Sequence, residues 1–160
     1  MINHHQARRL LAAGEARAHA LGIAVNIAVL DAGTHLKAFV RQDGAVLGSI
    51  DVSLSKARTS VLFQIPSADV WEYCKPGASA PGLERSNGGL AVFPGGLPLF
   101  DEAGALLGAV GVSGGAPSQD LDIAQAAAAA LLACPAPGRR HRFFSESPID
   151  PSNPSKGEQP

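Results

Sequence analysis

Aromatic residues are scarce in this chain, 5% of 160 residues, with one tryptophan and one tyrosine among them. A surface that stacks bases is therefore not expected. Neither sign of charge is in excess: 13 Lys and Arg stand against 14 Asp and Glu, a net charge of -1. No broad field gathers a phosphate backbone or an anionic membrane, so nucleic acid and membrane are not expected as partners. No apolar run approaches the roughly 18 to 20 residues of a membrane span. The opening residues, Met1-Ile2-Asn3-His4-His5-Gln6, lack the charged end and apolar stretch of a secretory signal, and the cytoplasm is the expected compartment. Cys74 and Cys134 are too far apart for a CxxC motif and are expected as free thiols. The histidines, His4, His5, His19, His35 and His141, show neither HxxxH nor HExxH spacing, so no intrinsic catalytic metal is expected. Neither GxGxxG nor the Walker pattern occurs, which leaves nucleotide binding without support.

What is plentiful is glycine and proline, 18 and 12 residues, a composition of short elements and tight turns in one globular domain. His4 to Leu21 is rich in helix formers, with Leu10, Leu11, Ala18 and Leu21 on one stripe and Gly22 where a left-handed cap is wanted. Ile23 to Leu30 and Leu36 to Val40 read as strands around the turn Asp31-Ala32-Gly33-Thr34. A second helix is expected over Ser49 to Phe63, stopped by Pro66, and a short one from Ser67 to Cys74. Lys75 to Gly89 reads as an irregular segment over a site, a candidate lid. Leu90 to Phe93, Leu97 to Phe100 and Ala105 to Val112 are three more strand candidates, suggesting a meander, and a last helix runs from Ser118 to Ala133. Residues 135–160 hold half of the prolines and read as a tail, so the division is a domain over 1–134 and a tail over 135–160. Its one unusual patch, Arg139-Arg140-His141-Arg142-Phe143-Phe144, suits docking on a neighbouring subunit or plain solvation.

Two glycine turns attract interest. Val112-Ser113-Gly114-Gly115-Ala116-Pro117-Ser118 links a strand to a helix, where free amides and the positive end of the helix dipole suit an anion; an ordinary turn with a Ser118 cap explains it as well. Phe93-Pro94-Gly95-Gly96-Leu97-Pro98 suits a hairpin end that exposes backbone to a ligand, or a rigid turn. Arg41, Lys56 and Arg85 are candidate cations for a carboxylate, Arg58 a solvated helix residue. Lys56 and Arg41 equally suit ion pairs with Asp43 or Asp51. For proton transfer the candidates are Glu84, His35, Asp43 and Asp120, with Tyr73 and Cys74 near the lid; Glu84 beside Arg85 is the preferred pair, an acid/base next to a carboxylate clamp.

Taken together, Ile27 to Gly33, Arg41-Gln42-Asp43-Gly44, Lys56-Ala57-Arg58-Thr59, Gly95-Gly96-Leu97-Pro98-Leu99, and Leu107 to Gly115 followed by Gln119-Asp120 resemble the GlcG/HbpS-like family over about residues 5 to 134. The resemblance implies an α+β fold: an α/β sandwich with a roughly five-stranded antiparallel sheet flanked by helices, assembled as a homo-oligomer. It also implies haem as a candidate cofactor, since some members bind it; on the first helix His19 is the candidate axial ligand and His5 a second histidine, and a plain helix-face residue is the alternative reading of His19. Resemblance fixes fold better than function.

Two readings follow. One is a binding module for haem or another carboxylate-bearing small molecule, with Arg41, Lys56, Gly95, Gly96, Ser113, Gly114 and Gly115 forming the pocket. The other is a cofactor-independent isomerase, lyase or hydrolase acting on a small oxo acid in a catabolic pathway, with Glu84 and Arg85 as its catalytic pair. A third is an accessory protein whose tail recruits an enzyme.

Overall fold

A computed structural model describes residues 1–132. The expected tail, its basic-aromatic patch and Cys134 lie outside the described residues. Four antiparallel strands form one sheet in the order β2-β1-β4-β3: β1 Asn26–Asp31, β2 Leu36–Arg41, β3 Gly96–Phe100 and β4 Leu106–Ser113. Three longer helices, α1 His4–Ala20, α2 Ser49–Phe63 and α4 Pro117–Leu132, and the one-turn α3 Trp71–Cys74 complete it. The α+β sandwich stands, with four strands where about five were expected.

The missing strand is Leu90 to Phe93, and the reason is where its backbone bonds go. The Leu90 amide donates to Glu84 O, the Ala91 amide to the Thr59 hydroxyl at 3.1 Å, and Phe93 O accepts from the Ser67 hydroxyl at 2.7 Å. Pro94 has no N–H to offer a ladder. The segment is thus a strap held by α2 and the turn Ser67–Val70, not an edge strand.

Alternation along the strands separates two cores. Ile27 and Val29 of β1, Val110 and Val112 of β4 and Leu99 of β3 point to α1 and α4, where they meet Ala7, Leu10, Ile123, Ala124 and Ala127. Burying each of the larger aliphatics contributes about 1.5–3 kcal/mol. Gly14 lets α1 approach closely, since a Cβ there would stand 2.7 Å from Ile27 Cδ1. On the opposite face Leu30 and Ala109 pack against Ala57 and Val61 of α2. Here Gly111 is indispensable: a Cβ would lie 2.1 Å from Ser53 O, so α2 rests directly on the β4 backbone.

Helix ends obey local chemistry. Asn3 and Gln6 exchange side-chain and backbone bonds as a capping box at the start of α1. Gln64 closes α2 in the left-handed region at φ 56°. At the β1–β2 turn, Asp31 Oδ1 accepts from the Gly33 and His35 amides.

Candidate functional site

All three pairings are antiparallel, so β1 and β3 begin where β2 and β4 end. That end of the sheet gathers most of the residues singled out above. Arg41 closes β2, Gly95 and Gly96 open β3, Ser113 closes β4, and Gly114 and Gly115 lead into α4. His19, exposed in the last turn of α1, precedes the entry into β1. Arg41 and Ser113 flank Asn26 in one row across three strands, so their side chains share the face that α2 covers.

Lys56 is the largest fully buried side chain. Its ammonium donates to Asp120 Oδ2 at 2.6 Å and to Val112 O at 2.8 Å, and lies 4.9 Å from the centre of the Phe93 ring. Burial pushes the Lys56 amine below its ordinary range, and the Asp120 carboxylate opposes that shift. The partner is therefore Asp120 rather than Asp43 or Asp51, and Lys56 presents no free charge to solvent. Asp120 Oδ1 accepts the Gly115 amide at 2.9 Å, the Gln119 side chain takes the Ala116 amide, and Ser67 Oγ takes the Gly96 amide at 3.0 Å. The anion that the glycine turn receives is thus the chain's own Asp120. Gly95, at φ 121°, tolerates no side chain, because a Cβ would stand 2.6 Å from Val112 O and 2.9 Å from Lys56 Nζ.

Gly111-Val112-Ser113-Gly114-Gly115 has the GxSxG spacing of a nucleophile elbow, which corrects the expectation from sequence that no such elbow accompanies Ser113. Ser113 is 6% exposed, and no hydrogen bond joins it to a histidine among the described residues. Among the described residues no base is in place to activate it.

Two open grooves, each of about 410 Å³, meet at Trp71. One is apolar, lined by Ala68, Trp71, Val92, Phe93 and Pro94. The other holds Cys74, Glu84 and Arg85 between prolines. Glu84 and Arg85, 3.8 Å apart, thus share a groove whose lining includes neither Arg41 nor Ser113. Glu84 Oε2 is buried without a hydrogen-bond partner. Burial, reinforced by the Glu84 charge, pushes the Cys74 thiol up, so it stays protonated. Arg58, expected in solvent, is half-buried and donates to Asn87 O, fastening the 75–89 segment to α2. The sequence does not mark Trp71 and Phe93 as lining residues: Trp71 is the single tryptophan, and Phe93 precedes Pro94 and Gly95.

Known proteins share this arrangement of strands and helices. A 15.0 kDa protein of the dhaT-dhaS intergenic region of Citrobacter freundii is 36% identical over 122 residues, which cover 76% of this chain and 85% of that one. The crystal structure of Klebsiella pneumoniae protein ORFY superposes with a TM-score of 0.81 at 33% identity, covering 84% of this chain and 92% of that one. A crystal structure of a PduOC:heme complex superposes with a TM-score of 0.77 at 34% identity, covering 81% of this chain and 94% of that one. Residues 2–129 match the family described as haem degrading protein HbpS-like, and the chain belongs to that HbpS-like family.

Proposed function

We propose that this protein is a small-molecule-binding homo-oligomer whose ligand is haem. The observation that carries this reading is the haem complex of a relative that is 34% identical and shares the fold over most of both chains.

The residues present fit the group. A haem iron takes an imidazole, and its propionates take a cation. His19 and Arg41 are both exposed at the sheet end where α1 delivers the chain into β1, His19 on the α1 layer and Arg41 on the face that α2 covers, so a ligand reaching both would lie across the rim of the sheet. The loop that follows β2 exposes Val46 and Leu47, 64% and 66% accessible, an apolar surface that suits a porphyrin face. Lys56 is not part of this set, because Asp120 and Val112 already satisfy it. His19 would hold the iron and Arg41 a propionate; bound haem would supply redox and ligand-binding chemistry that no side chain here has.

Haemin titration of the purified protein followed by absorption spectroscopy and native mass spectrometry tests the reading. A saturable, stoichiometric Soret shift is expected, weakened at least about tenfold in affinity by His19→Ala, the loss of one direct ligand bond. A protein that ignores haemin overturns the haem reading. An unchanged titration in His19→Ala overturns the ligand assignment and moves it to His5, which is also exposed on α1.

A further inference from the structure

We propose that Lys56 is a nucleophile that condenses with short apolar aldehydes admitted past Phe93. Two of its N–H groups go to Asp120 Oδ2 and Val112 O, and the Phe93 ring lies over the ammonium with its centre 4.9 Å away. The same ring lines the apolar groove with Trp71, Val92 and Pro94, so one side chain stands between the nitrogen and the groove. Phe93 is 41% exposed, while the main chain around it is fastened: Phe93 O accepts from Ser67 Oγ and Gly95 O from the Val112 amide. The ring is therefore free to change rotamer without moving the strap, on the fast time scale of exposed side chains. Gly95 keeps the approach open, since a Cβ at that position would stand 2.9 Å from Nζ.

The chemistry closes on Asp120. Its carboxylate takes a proton from the ammonium, leaving a lone pair on Nζ that attacks the carbonyl carbon. The proton passes from Asp120 to the carbonyl oxygen, giving a carbinolamine. Asp120 then removes a second proton from the nitrogen and delivers it to the hydroxyl, which leaves as water while the nitrogen lone pair forms the C=N bond. The product is an iminium paired with the Asp120 carboxylate, and no oxidant or reductant is consumed. Burial favours the neutral amine that the first step needs. The groove against Phe93 is lined by Ala68, Trp71, Val92, Phe93 and Pro94, without a charged side chain, which selects an apolar aldehyde over an oxo acid.

The test is to expose the full chain at neutral pH to propanal with sodium cyanoborohydride, which reduces the iminium to a stable propyl amine, and to locate the propyl groups by peptide mass spectrometry. Lys37 and Lys75, both on the accessible surface, are the references within the chain. Lys56 is expected to be labelled faster than Lys37, the reverse of the order that surface access alone would give. Phe93→Ala is expected to raise the ratio of the two rates further. An unlabelled Lys56, or one labelled no faster than Lys37, overturns the proposal. An unchanged Lys56 rate in Phe93→Ala overturns the entry past the ring and the proposal with it.

Discussion

At the residue scale, the folding of α2 against the β4–α4 turn brings the charges of Lys56 and Asp120, 64 positions apart in the chain, to 2.6 Å. Their burial decides the energetics. A surface pair contributes about 0–1 kcal/mol, whereas removing one member of a buried pair leaves an uncompensated charge and costs about 3–5 kcal/mol. Asp120→Asn is accordingly expected to lower unfolding stability in urea by that amount, although the new amide oxygen still accepts from Gly115. Combining it with Lys56→Met should recover much of the loss, because the unpaired ammonium is then gone. A single variant within about 1 kcal/mol of the parent, the range of a surface pair, would show that solvent reaches the pair and that its burial is not the controlling feature.

Helices and strands read well at the scale of elements because their signals are local. Ser49–Phe63 was legible at both ends, from helical spacing and from Pro66, and the β1–β2 hairpin was legible from β-branched apolar runs on either side of the Asp31-Ala32-Gly33-Thr34 turn. Leu90 to Phe93 failed for the opposite reason: its apolar residues promise a strand, but hydroxyls of Thr59 and Ser67, remote in sequence, take its backbone bonds. The contact between α1 and α4 was equally hidden. Arg17 reaches across it to Asp122 with two bonds, Nε to Oδ1 at 3.0 Å and Nη2 to Oδ2 at 2.6 Å. The Arg17 side-chain bond, with its charge, holds the Asp122 carboxyl below the usual range despite some opposing desolvation. A carboxyl with a lowered folded pKa stabilises the fold above its unfolded value and loses that contribution as pH falls through the folded one. Asp122→Asn should therefore flatten the acid limb of a melting-temperature profile below about pH 4 and leave its slope near neutrality unchanged. A parallel acid limb in both proteins would mean the pair contributes nothing on the acid side.

For the whole molecule, fold and family were legible and the grooves at Trp71 were not, since they are assembled from residues between 68 and 94 with no periodic signature. The same residues that made the resemblance specific, such as Gly95, Gly96 and Gly111, prove to be places where backbones touch. The described chain closes on itself at both ends. The Ile2 amide donates to Leu107 O at 2.9 Å, tying the N-terminus to β4, and Arg9 caps the end of α4 through Ala130 O and Leu131 O. Half of the prolines lie in residues 135–160, a composition that buries little apolar surface. A chain ended after Cys134 is therefore expected to unfold cooperatively, with a midpoint within about 4 °C of the full chain, the order of shift that 1 kcal/mol produces in a domain of this size. Its mass in native mass spectrometry should correspond to the same number of subunits. A truncated chain that melts much lower would make residues 135–160 part of the folded unit. One that keeps its melting point but falls to a smaller assembly would make them an assembly arm, the role that the Arg139 to Phe144 patch suits by composition.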